Sequence, residues 1–317
     1  MKRILVLTSG GDSSGMNAYI KALAKLCKKN NIELIASKRG FQGLVEKDID
    51  ALNYDEMGEI QNLGGSVIKT SRSKDFITPQ GFEKALETIK EQEVCCVVVV
   101  GGNGSFRGAY DLHNAGIDVL AIPGTIDNDL GYTQKTLGYD TACQNALDAI
   151  IKIKQSMQTC GRGTIVEVMG RHCADIATFS AILSNADLLI TQKITFEEIL
   201  EKIKDLTQNG IECPVIVARE NLLNIIELQK YLEEKTNREF RATVLGYIQR
   251  GGEPTASDKL FAIQLACATM EKILKNKLNL AIGSRAGEIV FERIEDAVKD
   301  DKSSSASLLE LYKQYCE

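Results

Sequence analysis

Short, uninterrupted apolar runs recur at 4–7, 34–36, 94–100, 119–122, 165–168, 188–190, 215–218 and 244–245, each followed by a polar loop and a stretch of helical period. Continuous rather than alternating hydrophobicity marks strands covered on both faces, the pattern of parallel sheets in α/β proteins. Helices fit between the runs. Thr78 and Pro79 read as N-cap and first helical residue. Phe82, Leu86 and Ile89 then share one face, with Lys84, Glu87, Lys90 and Glu91 turned outward. Amphipathic stretches at 141–157, 196–207, 222–234 and 257–274 predict further helices, and Ser303-Ser304-Ser305 reads as a loop or a helix start.

A chain of 317 residues has room for two domains of roughly 100–200 residues each. No Pro- or Ser-rich linker marks a boundary between them. The formal charge of −5 argues against a nucleic-acid partner held by diffuse electrostatics, which would need a basic surface. An anionic small substrate would need local arginines instead. Nine cysteines without C-x-x-C spacing fit a reduced, cytoplasmic chain in which they serve as small core residues. The basic start Met1-Lys2-Arg3 is followed by only a short apolar run, too little for a signal peptide or a membrane span, so it reads as a first buried strand.

The loops carry the chemistry. After the first strand comes Gly10-Gly11-Asp12-Ser13-Ser14-Gly15-Met16-Asn17, where glycines permit close backbone approach and a phosphate could rest on a helix start. Its spacing is neither the dinucleotide fingerprint nor a P-loop. A second loop, Gly101-Gly102-Asn103-Gly104-Ser105, offers a similar approach to a metal-bound triphosphate, with Asn103 where an ion ligand is needed. An amide oxygen can coordinate magnesium but brings no charge.

A third loop, Pro123-Gly124-Thr125-Ile126-Asp127-Asn128-Asp129, places two carboxylates and a hydroxyl after an apolar strand. Asp127 or Asp129 could take a proton from an attacking hydroxyl while the other orients the ion or the base; ordinary turn residues are the alternative. Arg72, Arg162, Arg171, Arg241 and Arg250 are the candidate phosphate binders, Arg171 and Arg250 foremost because each adjoins glycine just past a strand. His113 and His172 read as structural or surface residues.

Together these segments resemble the bacterial ATP-dependent 6-phosphofructokinase family. The matching runs are Leu7-Thr8-Ser9-Gly10-Gly11-Asp12, Gly15-Met16-Asn17, 123–129, Val166-Glu167-Val168-Met169-Gly170-Arg171, Arg241-Ala242-Thr243-Val244-Leu245-Gly246 and Ile248-Gln249-Arg250-Gly251-Gly252. The resemblance implies an α/β fold of two Rossmann-like three-layer domains with mainly parallel sheets. Residues 1–138 plus about 250–300 would form the nucleotide-binding domain, and 139–249 plus about 301–317 the sugar-phosphate domain. The implied reaction moves the γ-phosphoryl of ATP to O1 of fructose 6-phosphate, with Mg2+, in a cytoplasmic homotetramer.

Site roles follow from the same resemblance. Asp127 would be the base, Thr125 would position the phosphoryl group, and Arg171 and Arg72 would stabilise the moving charge. Gly11, Arg72, Ser73, Gly102, Asn103, Gly104 and Ser105 would contact ATP, and Asn103 and Asp129 would serve the metal. Thr125, Asp127, Met169, Gly170, Arg171, Glu220, Tyr247 and Arg250 would line the sugar-phosphate pocket. Arg162 and Arg241 would reach the 6-phosphate from a neighbouring subunit. Gly104 and Gly124 stand where related pyrophosphate-using enzymes carry Asp and Lys, which leaves room for the α-phosphate of ATP.

The chain also departs from the family pattern. Asn103 replaces an aspartate, Tyr247 a histidine, Ser13-Ser14 an Ala-Pro pair, and Ile77 a basic residue. At the implied effector positions Lys21, Lys25, Tyr54, Lys154 and Asp187, lysines and a tyrosine replace most of the usual arginines, and the basic pair expected near 209–211 is missing. Lysine lacks the planar fork of arginine, so ADP activation and phosphoenolpyruvate inhibition are expected to be weakened. The alternatives are a weakly active regulatory paralogue, motivated by Asn103, and a different donor or sugar-phosphate acceptor.

Overall fold

The structure, a computed structural model, describes residues 2–316. The chain forms two compact units, 1–141 with 250–301 and 142–249 with 302–317.

In the first unit the elements are β1 (Arg3–Thr8), α1 (Met16–Lys29), β2 (Glu33–Ser37), α2 (Phe41–Glu46), β3 (Ile49–Ala51), α3 (Pro79–Glu91), β4 (Cys96–Gly101), α4 (Asn103–Asn114) and β5 (Val119–Pro123). Helix α5 (Tyr139–Thr159) begins there and runs on into the second unit. The second unit continues with β6 (Gly163–Val168), α6 (Asp175–Ser184), β7 (Leu188–Ile190), α7 (Phe196–Gln208), β8 (Val215–Arg219), α8 (Ile225–Thr236) and β9 (Phe240–Val244). The chain then returns to the first unit as α9 (Ala256–Leu274), β10 (Leu280–Arg285), β11 (Glu288–Arg293) and α10 (Ile294–Ala297), and ends in the second as α11 (Ala306–Cys316).

The first sheet has seven strands in the order β11-β10-β5-β4-β1-β2-β3, parallel except for the edge pairs β10-β11 and β2-β3. Its central strands explain the uninterrupted runs. On β1, Ile4 and Val6 join one core and Leu5 and Leu7 the other, all of them buried. Cys96, Val98 and Val100 of β4 divide from Val97 and Val99 in the same way. Helices α1 and α9 cover the first face, and α4 and α10 pack on the second.

The second sheet is parallel, with four strands in the order β7-β8-β6-β9. Leu188, Ile190, Ile216 and Ala218 pack there against Ile199, Ile203, Leu228 and Leu232.

Several expectations are corrected. The run at 244–245 is not itself a strand: β9 spans Phe240–Val244, and Leu245 lies past its end. The helix expected from 222 starts at Ile225, where the Asn224 side chain accepts from the Ile226 and Glu227 amides and sets the boundary. The β10-β11 hairpin was not expected, although Leu280-Ala281-Ile282 and Ile289-Val290-Phe291 are apolar runs as long as that at 34–36. It turns at Ala286 and Gly287, both with positive φ, the geometry of a two-residue hairpin loop.

Candidate active site

In an open parallel sheet ligands gather beyond the carboxyl ends of strands where the strand order reverses. In the first unit that point lies between β1 and β4, because the chain passes from β1 outward to β2 on one side and to β4 and β5 on the other. The three polar loops follow β1, β4 and β5 there. They are tied together by main-chain and hydroxyl contacts: the Ser9 amide donates to the Val100 carbonyl at 3.0 Å, the Gly124 amide to the Gly101 carbonyl at 2.9 Å, and Ser105 Oγ to the Ser9 carbonyl at 3.1 Å.

The loop after β5 is fixed from within. The Asp127 amide donates to Thr125 Oγ1 at 3.2 Å, and Thr136 Oγ1 donates to the Thr125 carbonyl at 2.6 Å. Asn128 has a left-handed φ of 53° and donates through Nδ2 to the Gln134 carbonyl at 3.1 Å. This turn leaves Asp127 half-buried while Asp129 is buried at 4% exposure. Asn103, the first residue of α4, donates through Nδ2 to Asp129 Oδ2 at 2.9 Å. Gly102 lies against Thr125, since a Cβ there would stand 3.3 Å from the threonine Cβ. Thr125 and Asp129 are thus brought to the N-terminus of a 12-residue helix, where amides and macrodipole favour anions, with Asp127 between them on the loop.

The glycines divide by cause. A side chain at Gly104 would meet nothing within 4 Å, so the fold does not demand glycine there, and the open space is available to a ligand. At Gly124 a Cβ would stand 2.8 Å from Val100 Cγ1 and 3.1 Å from Met16 Cε. Core packing therefore requires glycine at 124 whatever ligand is bound. Ser105 is buried with its hydroxyl turned to β1, so that side chain holds the loop.

Arg72 and Ser73 lie on a segment anchored to the first loop by Gly10 N to Ser71 O at 3.1 Å and Thr70 Oγ1 to Gly10 O at 2.6 Å. Ser73 Oγ donates to Gln42 Oε1 at 2.6 Å and accepts from the Phe76 amide at 3.0 Å. Arg72 is exposed. Arg250 belongs to this unit: its Nε is 3.5 Å from Asp12 Oδ1, and its guanidinium covers Gly11, where a Cβ would fall 1.6 Å from Nη2. That seat explains why the sequence keeps glycine at 11.

In the second unit the candidate residues again stand past strand ends. After β6, the Gly170 and Arg171 amides donate to Glu220 Oε1 at 3.2 and 2.8 Å, and the Met169 amide donates to Gln249 Oε1 at 3.1 Å. Arg171 is exposed, with a left-handed φ of 53°. Arg162 Nε pairs with Glu239 Oε2 at 2.5 Å. Arg241 pairs with the same carboxylate at 3.1 Å and with Glu233 at 3.1 Å, so one acid braces both arginines. Tyr247 is 80% exposed beside the exposed Ile248 and Val244. Burial, reinforced by the neighbouring Glu220, raises the carboxyl of Glu167 above its ordinary value.

Sequence reasoning did not single out Glu167, Gln249, Arg219 or Glu239. Gln249 was legible only as a polar residue between Ile248 and Arg250, and the structure shows it fully buried. At the implied effector positions, Lys21 donates to the Gly58 carbonyl and to Gln61 Oε1 at 2.6 Å. Lys154 donates to the Ser184 and Asn185 carbonyls at 2.8 and 2.9 Å, Tyr54 lies under the Lys28 ammonium, and Asp187 Oδ2 accepts from the Val215 amide at 2.7 Å. Lys25 is exposed. All nine cysteines are free thiols, and among the described residues no helix is long and apolar enough to cross a membrane.

The family model of phosphofructokinase matches residues 3–273. An ATP-dependent 6-phosphofructokinase of Alkaliphilus metalliredigens is 40% identical over 315 residues, covering 99% of each chain. One of Clostridioides difficile is 38% identical with the same coverage. Among solved structures, phosphofructokinase from Saccharomyces cerevisiae superposes with a TM-score of 0.88 at 23% identity, over 99% of this chain and 50% of the yeast chain. A pyrophosphate-dependent phosphofructokinase from Marinobacter aquaeolei gives 0.85 at 21% identity, over 97% of this chain and 86% of its own. With a family model spanning most of its length and relatives of this identity covering nearly all of it, the chain belongs to the phosphofructokinase family.

Proposed function

We propose that this chain transfers the γ-phosphoryl group of ATP to O1 of fructose 6-phosphate, the glycolytic step that yields fructose 1,6-bisphosphate and ADP. The observation that carries this reading is the loop after β5, in which Thr125 lies against Gly102 and Asp129 accepts from Asn103 at the N-terminus of α4, with Asp127 between them. Asp127 accepts the O1 proton as the O1–P bond forms and the bond from the γ-phosphorus to the β,γ-bridging oxygen breaks. Thr125, fixed through its carbonyl by Thr136, positions the phosphoryl group. Arg72 and Arg171 supply planar charge for the anion that develops.

The first unit is the nucleotide-binding part in this reading, with Gly11, Arg72, Ser73, Gly102, Asn103 and Gly104 toward ATP. The open space over Gly104 favours ATP as donor over pyrophosphate. Met169, Gly170, Glu220, Tyr247 and Arg250 are assigned to the sugar phosphate. Arg162 and Arg241, braced on a common Glu239, are assigned the 6-phosphate bound by a neighbouring subunit of a homotetramer.

The oxygens of the Asn103 amide and the Asp129 carboxylate would be the ligands for a hard cation that keeps waters and phosphate oxygens among the rest, although here the Asn103 amide nitrogen faces Asp129, donating to Oδ2 at 2.9 Å. Magnesium held by these residues would supply charge neutralisation to the phosphates. Reduced thiols agree with a cytoplasmic protein. The engaged side chains of Lys21, Lys154 and Asp187 support a weak response to ADP and phosphoenolpyruvate.

Purified protein given fructose 6-phosphate, ATP and Mg2+ is expected to form fructose 1,6-bisphosphate, read by an aldolase-coupled assay. Asp127→Asn should lower kcat by about 10²- to 10⁴-fold, about 3 to 5.5 kcal/mol of barrier. Full activity in that variant overturns the assignment of the base.

A further inference from the structure

We infer that Arg219 is a positioning residue: it braces the Gly170–Arg171 turn and so fixes where the Arg171 guanidinium stands. Arg219 is the last residue of β8, which lies between β7 and β6 in the sheet, in register with Val168 of β6. From there its guanidinium reaches the loops of both neighbours, donating through Nη1 to the Arg171 carbonyl and through Nε to the Thr191 carbonyl at 3.4 Å.

The turn it touches needs holding. Arg171 sits at φ 53°, a conformation that costs a residue with a Cβ about 1 kcal/mol or more. The preceding Gly170 is at φ 138°, and a Cβ there would lie 2.5 Å from the Cys173 carbonyl, which the tight turn brings back as the Cys173 amide donates to the Gly170 carbonyl at 2.7 Å.

The last residue of β8 and the one after it therefore clamp the two sides of one amino acid: Glu220 takes the Arg171 amide at 2.8 Å and Arg219 holds the Arg171 carbonyl. With N–H and C=O both pinned, φ and ψ of Arg171 are set by polar groups although its side chain is exposed. A guanidinium suits this task because its fork can serve two carbonyls at once, with charge-assisted bonds.

The kinetic consequence rests on the role given to Arg171 in the proposed reaction; the brace itself does not. Arg219→Ala is expected to speed hydrogen exchange at the Arg171 and Cys173 amides by about tenfold or more. It should also lower kcat by between about tenfold and about a hundredfold, leaving KM for ATP unchanged, because misplacement of a stabilising group acts on the transition state. Arg219→Lys, whose ammonium can serve one carbonyl, should recover most of the loss. In an Arg171→Ala background Arg219→Ala should be kinetically silent, since nothing remains to position.

Unchanged exchange at both amides overturns the brace. Wild-type kcat in Arg219→Ala, or an undiminished loss added to that of Arg171→Ala, overturns its action through Arg171. Should the alanine variant fail to fold, Arg219→Gln, which keeps an N–H donor without the charge, is read by the same exchange and kinetics. A wild-type protein inactive on fructose 6-phosphate sinks the proposed reaction alone, while the exchange data still decide the brace.

Discussion

The loops at the carboxyl ends of the two sheets are built on opposite principles. In the first unit the functional groups are carboxylates and amides packed into the fold: Asp129 is buried, Asn103 donates to it, and Gly124 is required by Val100 and Met16. In the second they are long cations, Arg162 and Arg241 half-buried and Arg171 exposed, held by acids and carbonyls: Arg162 and Arg241 on Glu239, Arg171 between Glu220 and Arg219. A buried carboxylate gains fixed orientation from its surroundings and loses the freedom to move. An exposed arginine keeps its charge in water and must be oriented by partners, each worth little when solvated. The first set is suited to proton transfer and the second to catching an anion.

This contrast breaks or sharpens with specific substitutions. Gly104→Asp puts a carboxylate into open space on the α4 helix start, so it should fold with an unchanged Tm but raise KM for ATP by about a hundredfold, roughly 2.7 kcal/mol of lost binding. Gly124→Ala tests the other cause, since its Cβ meets Val100, and should cost about 1–3 kcal/mol of stability, read by urea unfolding. A destabilised Gly104→Asp, or a neutral Gly124→Ala, would erase the distinction between the two glycines.

Gly11→Ala collides only with the end of a flexible side chain, that of Arg250. The expected result is a rise of about tenfold in KM for fructose 6-phosphate with little change in Tm, because one charge-assisted contact is displaced. A collapse in stability would show that Arg250 holds the fold rather than the substrate.

Asn103→Asp sets two carboxylates side by side where an amide now donates to Asp129 at 2.9 Å. Like charges that close disfavour joint ionisation, so Tm without divalent ions should fall by about 3 °C and return when Mg2+ is added. In the wild-type chain Tm should respond much less to Mg2+ alone.

The smallest effect belongs to Glu167, whose carboxyl is raised by burial and then by Glu220. Unfolded, a glutamate titrates at about 4.3, so the folded chain holds this proton to higher pH. Stability from this group therefore falls as pH rises from the ordinary range through the raised value, and is flat above it. Glu167→Gln should raise Tm at neutral pH by roughly 1–2 °C and flatten that slope in a thermal melt. A lower Tm would mean that the carboxylate has a stabilising partner.

Much of the fold was legible because parallel strands are buried on both faces, which writes an uninterrupted apolar run into the chain. Val97 to Val100 could hardly be anything else. Strands β3, β10 and β11 escaped for other reasons: β3 and β11 lie at the sheet edges and are half-buried or exposed, and the apolar run of β10, an inner strand, is only three residues long. Thr78-Pro79 marked its helix start because N-cap chemistry is local, and Asn224 did the same work unnoticed within an apolar stretch. The resemblance to phosphofructokinases was likewise carried by loop residues whose order along the chain is enough to identify them.

What the sequence by itself determined is therefore the set of local and chemical facts: strands, the glycine-rich loops, two aspartates after β5, and the family. Only the tertiary structure decided which glycine is spared for packing and which leaves open space, that Asn103 turns its amide to Asp129, that Arg250 covers Gly11, that Glu239 braces Arg162 and that Arg219 braces the Arg171 turn. The reason is range. Propensities, caps and burial patterns act over a few residues and leave a periodic trace, whereas these contacts join positions 24 to 239 residues apart, and nothing local in the chain records which partner will arrive.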